Sequence, residues 1–215
     1  ARACCGVYPL CAELAVFEAV VGKSEYAKKD MNIATVKKTF LFGLTFFRNP
    51  MRNASLVPSS SFACKAMLSG LDFSKVRTVV ELGPGTGVFT EKILSSCQSG
   101  TKVILVEIEA KYVALLRERF GSRVIVEHRS VADLEELVVK HGGGVDLIIS
   151  GLPIIIPDVT EKLLVSIKKY TEQGTTYRFF SYLPPLVKRV YKDLPVKKIA
   201  FVPQNIPPLW VFEIH

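Results

Sequence analysis

Histidine is scarce, at three residues, and the five cysteines stand at no spacing with it that resembles a zinc site. No resident metal is therefore expected. Three cysteines (Cys4, Cys5, Cys11) crowd the amino-terminal end, leaving Cys64 and Cys97. An odd set without a framework points to reduced thiols and a cytoplasmic protein. A long uncharged apolar run is also missing. The stretch from Leu10 to Val21 is short for a span and is interrupted by Glu13 and Glu18. It is read as neither a signal peptide nor a membrane span. There is no internal repeat and no low-complexity tract. The remaining deficit is in acid: 20 Asp and Glu face 28 Lys and Arg, for a formal charge of +8. That balance favours a polyanionic partner, nucleic acid or an anionic membrane surface, without separating the two.

What is present is a foldable chain. At 215 residues with 49% hydrophobic side chains, it suffices for one α/β domain and a short appendage. Met31 follows a polar run from Lys23 to Asp30, so residues 1–30 are read as a tag or extension. Residues 31–70 form a helical arm in this reading, and 71–215 the main domain. From Arg77 apolar runs alternate with amphipathic stretches. Strands are expected at Thr78–Leu82, Lys102–Glu107, Arg123–His128, Val145–Ser150 and Thr176–Tyr182. Helices are expected at Val88–Ser95, Lys111–Phe120, Leu134–Lys140 and from an N-cap at Asp158, with Glu161 completing a capping box, to Tyr170. Short loops in such alternation predict a mostly parallel sheet covered on both faces. Lys198–Val202 and Leu209–Ile214 are joined too closely for a crossover helix, so they should pair antiparallel. The expected fold is a seven-stranded, doubly wound α/β sheet ending in a reversed hairpin.

The strongest local signal is Glu81-Leu82-Gly83-Pro84-Gly85-Thr86-Gly87. Glycines allow a sharp turn and close approach of a ligand to bare backbone, and the next helix offers N–H groups and a positive dipole end. The Gly-x-Gly-x-Gly spacing is one residue tighter than the dinucleotide fingerprint, and no Lys-Ser/Thr of a phosphate loop follows. The loop suits a nucleoside whose amino-acid end lies against the turn, in contact with Gly83, Gly85, Thr86 and Gly87. Glu81 can attract that end's ammonium. Glu107, ending the second strand, can accept from ribose hydroxyls. Ser130 and Val131, after the third strand, should line the base, with Val131 on the ring and Ser130 or Asp133 near its amino group.

These residues, with Phe47-Arg48-Asn49-Pro50, Val57-Pro58-Ser59-Ser60, Ser150-Gly151-Leu152-Pro153, Ser181-Tyr182 and Asn205-Ile206-Pro207-Pro208-Leu209-Trp210, carry a resemblance. From about Phe40 to Ile214 the chain resembles the soluble bacterial phospholipid N-methyltransferases, which are similar to rRNA adenine dimethyltransferases. The resemblance implies a class I methyltransferase fold, S-adenosylmethionine as cofactor, and stepwise methylation of phosphatidylethanolamine towards phosphatidylcholine. Adenine methyltransferases usually place an Asn or Asp and an aromatic ring around the fourth-strand prolines, to hold a poorly basic amine and stack a flipped base. Here Gly151-Leu152-Pro153-Ile154 offers neither, and an alkyl amine needs neither once deprotonated. Gly151, Leu152 and Pro153 are therefore candidate catalytic residues. Tyr182 joins them: it can hold the amine by its ring face or hydroxyl, or be structural. His128 and His141 are poor candidates for a base.

Val36, Phe40, Gly43, Leu44 and Phe47 share one helical face, flanked by Phe42 and Phe46, with Lys37, Lys38 and Arg48 opposite. The Val36–Phe47 segment is read as an interfacial anchor, with packing against the domain as the other reading. Lys188, Arg189, Lys192, Lys197 and Lys198 form a second basic group near the sheet's C-terminal side, facing anionic lipid heads or solvent. A phospholipid substrate and an anionic membrane partner are expected, no nucleic acid, and a place on the membrane's inner face. Three rivals stand beside this: an rRNA adenine N6-methyltransferase, a non-catalytic lipid- or RNA-binding module, and an enzyme for a small soluble amine.

Overall fold

The computed structural model describes residues 57–152, 157–205 and 208–215. The Val36–Phe47 arm, Met31, Pro153 and Ile154 lie outside the described residues. Seven strands form one sheet: β1 (Thr78–Leu82), β2 (Lys102–Glu107), β3 (Ile125–His128), β4 (Leu147–Ser150), β5 (Thr176–Ser181), β6 (Lys197–Val202) and β7 (Leu209–Ile214). Their spatial order is β3-β2-β1-β4-β5-β7-β6. β1 to β5 are mutually parallel, and β7 runs antiparallel to both β5 and β6. The expected reversed hairpin is thus present, with its second strand inserted beside β5. The chain winds outward from β1 in one direction, then from β4 in the other. That reversal opens a crevice at the carboxyl ends of β1 and β4.

Helices α1 (Val57–Leu68), α2 (Val88–Ser96), α3 (Ala110–Phe120), α4 (Leu134–Lys140), α5 (Pro157–Glu172) and α6 (Pro184–Val190) cover both faces. Strand alternation sorts the core. Val80, Leu82, Ile104 and Val106 join Leu137, Ile167 and Phe179 under α4, α5 and α6. Val79, Val103 and Leu105 join Met67, Ile93, Leu116 and Phe120 under α1, α2 and α3. In α3 the buried residues are Tyr112, Val113, Leu116 and Phe120, the one-sided spacing that the sequence predicts.

Differences from the sequence reading are local. β3 and β4 begin two residues later than expected, and β5 ends at Ser181. α5 starts at Pro157, so Asp158 lies in its first turn rather than at the cap. α6 was not anticipated, because Pro184-Pro185 reads as a break, yet proline suits the first helical positions, where no intrahelical N–H bond is needed. The basic group is exposed, but Lys197 and Lys198 open β6 opposite Glu213 and Phe212. β6 runs in the direction of β5, so these two lysines lie below the C-terminal edge rather than at it.

One buried charge ties α1 to the sheet. Arg178 on β5 is 5% exposed and pairs across the strands with Glu213 at 2.7 Å. Its Nη1 also donates to the Met67 and Ser69 carbonyls at 2.9 and 2.6 Å, which caps the end of α1. Removing the guanidinium strands Glu213 and two carbonyls. Arg178→Met should therefore lower the unfolding free energy by about 3 kcal/mol, read by urea denaturation. An unchanged midpoint would mean that α1 is held by packing alone.

Candidate functional site

The glycine loop leaves β1 with Gly83, Gly85 and Gly87 all in the left-handed region, at φ 68°, 55° and 82°. Each has its own reason to lack a side chain. A Cβ on Gly87 would stand 2.5 Å from the Phe120 ring, and one on Gly83 2.4 Å from a Leu152 methyl carbon. A Cβ on Gly85 would meet nothing within 4 Å. Two of the glycines therefore serve packing, and Gly85 faces open space. The loop is held from α3, where Arg119 donates to the Thr86 carbonyl at 2.8 Å and pairs with Glu91 at 2.6 Å.

Two buried carboxylates flank the loop with different surroundings. Glu107, ending β2, accepts from the backbone N–H groups of Gly85 at 3.1 Å and of Ile108 and Glu109 at 2.9 Å. Three of about four acceptor positions are taken, so the carboxylate is locked in place with the outer side of Oε2 left for a ligand hydroxyl. Glu81 is 2% exposed and accepts from the Thr90 hydroxyl at 2.6 Å. Among the described residues no cation pairs with it. Burial pushes its carboxyl up to about 7, against the Thr90 hydrogen bond and with the Glu107 charge adding to the rise. Cys64 of α1 lies within electrostatic reach, and burial beside Glu81 raises its thiol to about 12.

A cavity of about 100 Å³ opens at the crevice, and Gly83, Glu107, Ser130, Val131 and Leu152 line it. The structure thus brings these expected residues onto one wall. Glu81, Gly85, Thr86, Gly87 and Gly151 are not among the lining residues, and Glu81 is bonded on the α2 side to Thr90. Ser130 caps a short 3-10 turn by accepting from the Ala132 N–H at 3.2 Å, which leaves its own proton to donate. Ile108, Ser150, Tyr177 and Tyr191 also line the cavity and were not anticipated. Ile108 carried a signal, since an apolar residue just past a strand end is 64% exposed here with no core to join. Asp133 does not line the cavity, and neither His128 nor His141 reaches it. His128 bonds the Ile108 carbonyl and His141 bonds Glu127.

Tyr182 stands apart, on the α2 face. Its ring meets Phe180 edge-on at 5.8 Å, and Phe180 stacks on Phe89. Burial lifts its hydroxyl to about 12, opposed by a hydrogen bond with Asn205 of the β6–β7 turn. The hydroxyl is engaged, the ring packs against the core on that face, and Tyr182 is not among the residues lining the cavity. The donor set fits S-adenosylmethionine: a locked carboxylate for the ribose, apolar Ile108, Val131 and Leu152 for the base, open backbone at Gly85, and a buried carboxylate lacking a cation.

The comparisons agree with that chemistry. Residues 58–146 match the family described as ribosomal RNA adenine dimethylase. The chain is 31% identical to the ornithine lipid N-methyltransferase of Singulisphaera acidiphila, across 80% of this chain and 93% of that protein. It is 31% identical to ribosomal RNA small subunit methyltransferase A of Acidobacterium capsulatum, but over only 44% of this chain and 33% of that protein. In fold, it is similar to the DhpI–SAH complex, with a TM-score of 0.54 at 16% identity, covering 82% of this chain and 96% of that one.

Two outcomes follow from the loop and from Glu81. Gly87→Ala should cost about 2–4 kcal/mol of stability, from a left-handed residue and a clash with Phe120. Gly85→Ala should lose only about 1–2 kcal/mol of stability and show its main effect in calorimetry with the cofactor. Equal stability losses would contradict the division of roles. Glu81 has a folded-state value above its ordinary 4.5, so the folded protein holds the extra proton between about 4.5 and 7. Stability from this group is greatest below 4.5, falls as pH rises to about 7, and then levels. Urea unfolding across that window should show this slope in the difference between wild type and Glu81→Gln. A flat difference would mean Glu81 is ionised throughout.

Proposed function

Because this chain belongs to the family of S-adenosylmethionine-dependent lipid N-methyltransferases related to rRNA adenine dimethylases, we propose that it methylates the amine of a membrane lipid. Phosphatidylethanolamine, carried stepwise towards phosphatidylcholine, is the proposed substrate. The single observation behind this reading is the turn after β4. Gly151 donates its N–H to the Leu82 carbonyl at 3.0 Å, and a Cβ there would lie 3.2 Å from the Gly83 carbonyl. An Asn or Asp at this position would have to displace the glycine loop by a few tenths of an ångström. The turn therefore has no side-chain acceptor for an adenine amine, and little room for one.

S-adenosylmethionine supplies a methyl group on a sulfonium, and an uncharged alkyl amine behind that carbon takes it by direct displacement. The chain's part is binding and alignment. Glu81 and the glycine loop hold the amino-acid end, Glu107 the ribose, and Ser130 and Val131 the base. Gly151 and Leu152 give the amine a wall without competing donors, and the Tyr182 ring offers a face to the headgroup cation. The Val36–Phe47 arm and the exposed basic residues are proposed to bring this edge to an anionic surface. No helix among the described residues is long and apolar enough to cross a membrane.

The test uses methyl-labelled cofactor with three acceptors in parallel: phosphatidylethanolamine vesicles, ornithine-lipid vesicles and ribosomal RNA. Label is expected in phosphatidylethanolamine. Label in ornithine lipid alone would move the headgroup assignment, and label in RNA alone would overturn the lipid reading. Phe40→Ser with Phe47→Ser should release the protein from anionic vesicles, since each buried Phe contributes about 1.5–3 kcal/mol before ordering costs. Cofactor affinity should be unchanged. Cosedimentation at wild-type levels would remove the arm from the proposal.

A further inference from the structure

We propose that Tyr177 and Tyr191 are positioning residues for methyl transfer, acting through Ser150 on the backbone of the Gly151–Leu152 turn. The inference rests on the reading above that this turn faces the acceptor. Ser150 ends β4, Tyr177 lies on β5 and Tyr191 follows α6, and all three are at most 5% exposed. Their hydroxyls form a chain. The Tyr191 and Tyr177 oxygens are 3.1 Å apart, and Tyr177 faces Ser150 across the neighbouring strands β4 and β5, both lining the cavity, with the Ser150 hydroxyl acting on the phenol. The Ser150 hydroxyl oxygen in turn accepts from the Leu152 N–H at 3.3 Å. The chain therefore starts in the core and ends on an amide in the turn beside the glycine loop.

Packing does not require these hydroxyls. Tyr177 stacks on Phe179 at 5.2 Å, and Tyr191 on Phe179 at 4.5 Å, so two phenylalanines would complete the same ring cluster. Three hydroxyls inside an apolar cluster carry a desolvation cost that is offset only when every one is bonded. The arrangement instead fixes one backbone group. Leu152 has left the strand ladder, and its side chain packs on Gly83 while forming part of the cavity wall. Holding its N–H fixes the orientation of that wall against the cofactor loop. Neither phenol serves as a base, because burial raises Tyr177 to about 12 and Tyr191 well above its usual range. Their contribution is geometric, where a displacement of about 1 Å can cost on the order of a hundredfold in rate.

The test reads the turn directly and then the rate. Amide hydrogen exchange at Leu152 should speed up about tenfold in Tyr177→Phe, the factor expected of one lost hydrogen bond. Exchange at Ile148 and Ile149 should not change. The kcat for the labelled acceptor should fall while cofactor Kd and acceptor KM stay within about twofold, because the interaction acts on alignment. Ser150→Ala should reproduce the fall in kcat, and the double variant should be no slower than either single one. Unchanged exchange at Leu152, additive effects, or a loss confined to cofactor Kd would overturn the proposal. If Tyr177→Phe does not fold, Tyr191→Phe breaks only the outer link. It should give a smaller change of the same kind, and none would overturn the idea equally. Wild-type protein that labels RNA instead of lipid sinks the lipid reading alone, since exchange at Leu152 needs no acceptor.

Discussion

The backbones of β1 and β4 come together at their carboxyl ends with no side chain between them. The Gly151 N–H bonds the Leu82 carbonyl; a Cβ on Gly151 would crowd the Gly83 carbonyl, and one on Gly83 would meet the Leu152 side chain. Everything else in the site hangs on that approach. It seats Leu152 over Gly83, aims the loop so that Gly85 opens outward, and puts the β4 turn against the cofactor wall. A doubly wound sheet supplies the crevice in any event. What this chain adds is a pair of glycines where the two strand ends meet, with the cavity beside them lined largely by apolar side chains.

The two acidic residues beside the loop divide the electrostatic work. Glu107 is satisfied before any ligand arrives, by three backbone N–H groups from two segments. It therefore behaves as a fixed acceptor and also laces Gly85 to the end of β2. Glu81 has a single hydroxyl partner and no cation among the described residues, so its burial is only partly compensated. A ligand ammonium nearby would recover that cost. In the proposed reading, Glu81 selects a cationic amino-acid end and Glu107 orients the sugar. One carboxylate carries stored electrostatic demand, the other a finished geometry.

Periodicity and turn chemistry made much of this legible. Apolar alternation located the five parallel strands to within about two residues, and the short connection before Leu209 announced the reversed hairpin. The glycine loop and Glu107 declared themselves by local spacing. What stayed hidden is non-local. Tyr177 and Tyr191 sit in apolar runs, where a tyrosine is indistinguishable from any core aromatic, and Tyr191 follows a helix masked by its prolines. Nothing in the residues beside Arg178 marks it as buried. Its burial depends on Glu213, 35 residues later, and on carbonyls more than a hundred residues earlier. Asn205 was visible as part of a turn motif, but its bond to Tyr182 needs the hairpin and β5 side by side.

The proton is where the arrangement is most restrictive. An alkyl ammonium must lose one before it can attack, yet the described hydroxyls near the site are poor acceptors: Tyr182 and Tyr177 are both pushed up to about 12. His128 and His141 are engaged away from the cavity. Glu81 has a value near 7, but it lies under the loop on the α2 side and answers to the cofactor. On the proposed lipid reading, the acceptor amine meets the site from the water side. Deprotonation by solvent then needs no side chain, and an enzyme that only has to align an amine can use an apolar wall. A nucleobase amine starts neutral and poorly nucleophilic, and would need acceptors that this turn does not provide. The lack of polar side chains at Gly151 and Leu152 is thus the feature that fits an alkyl amine and counts against a base.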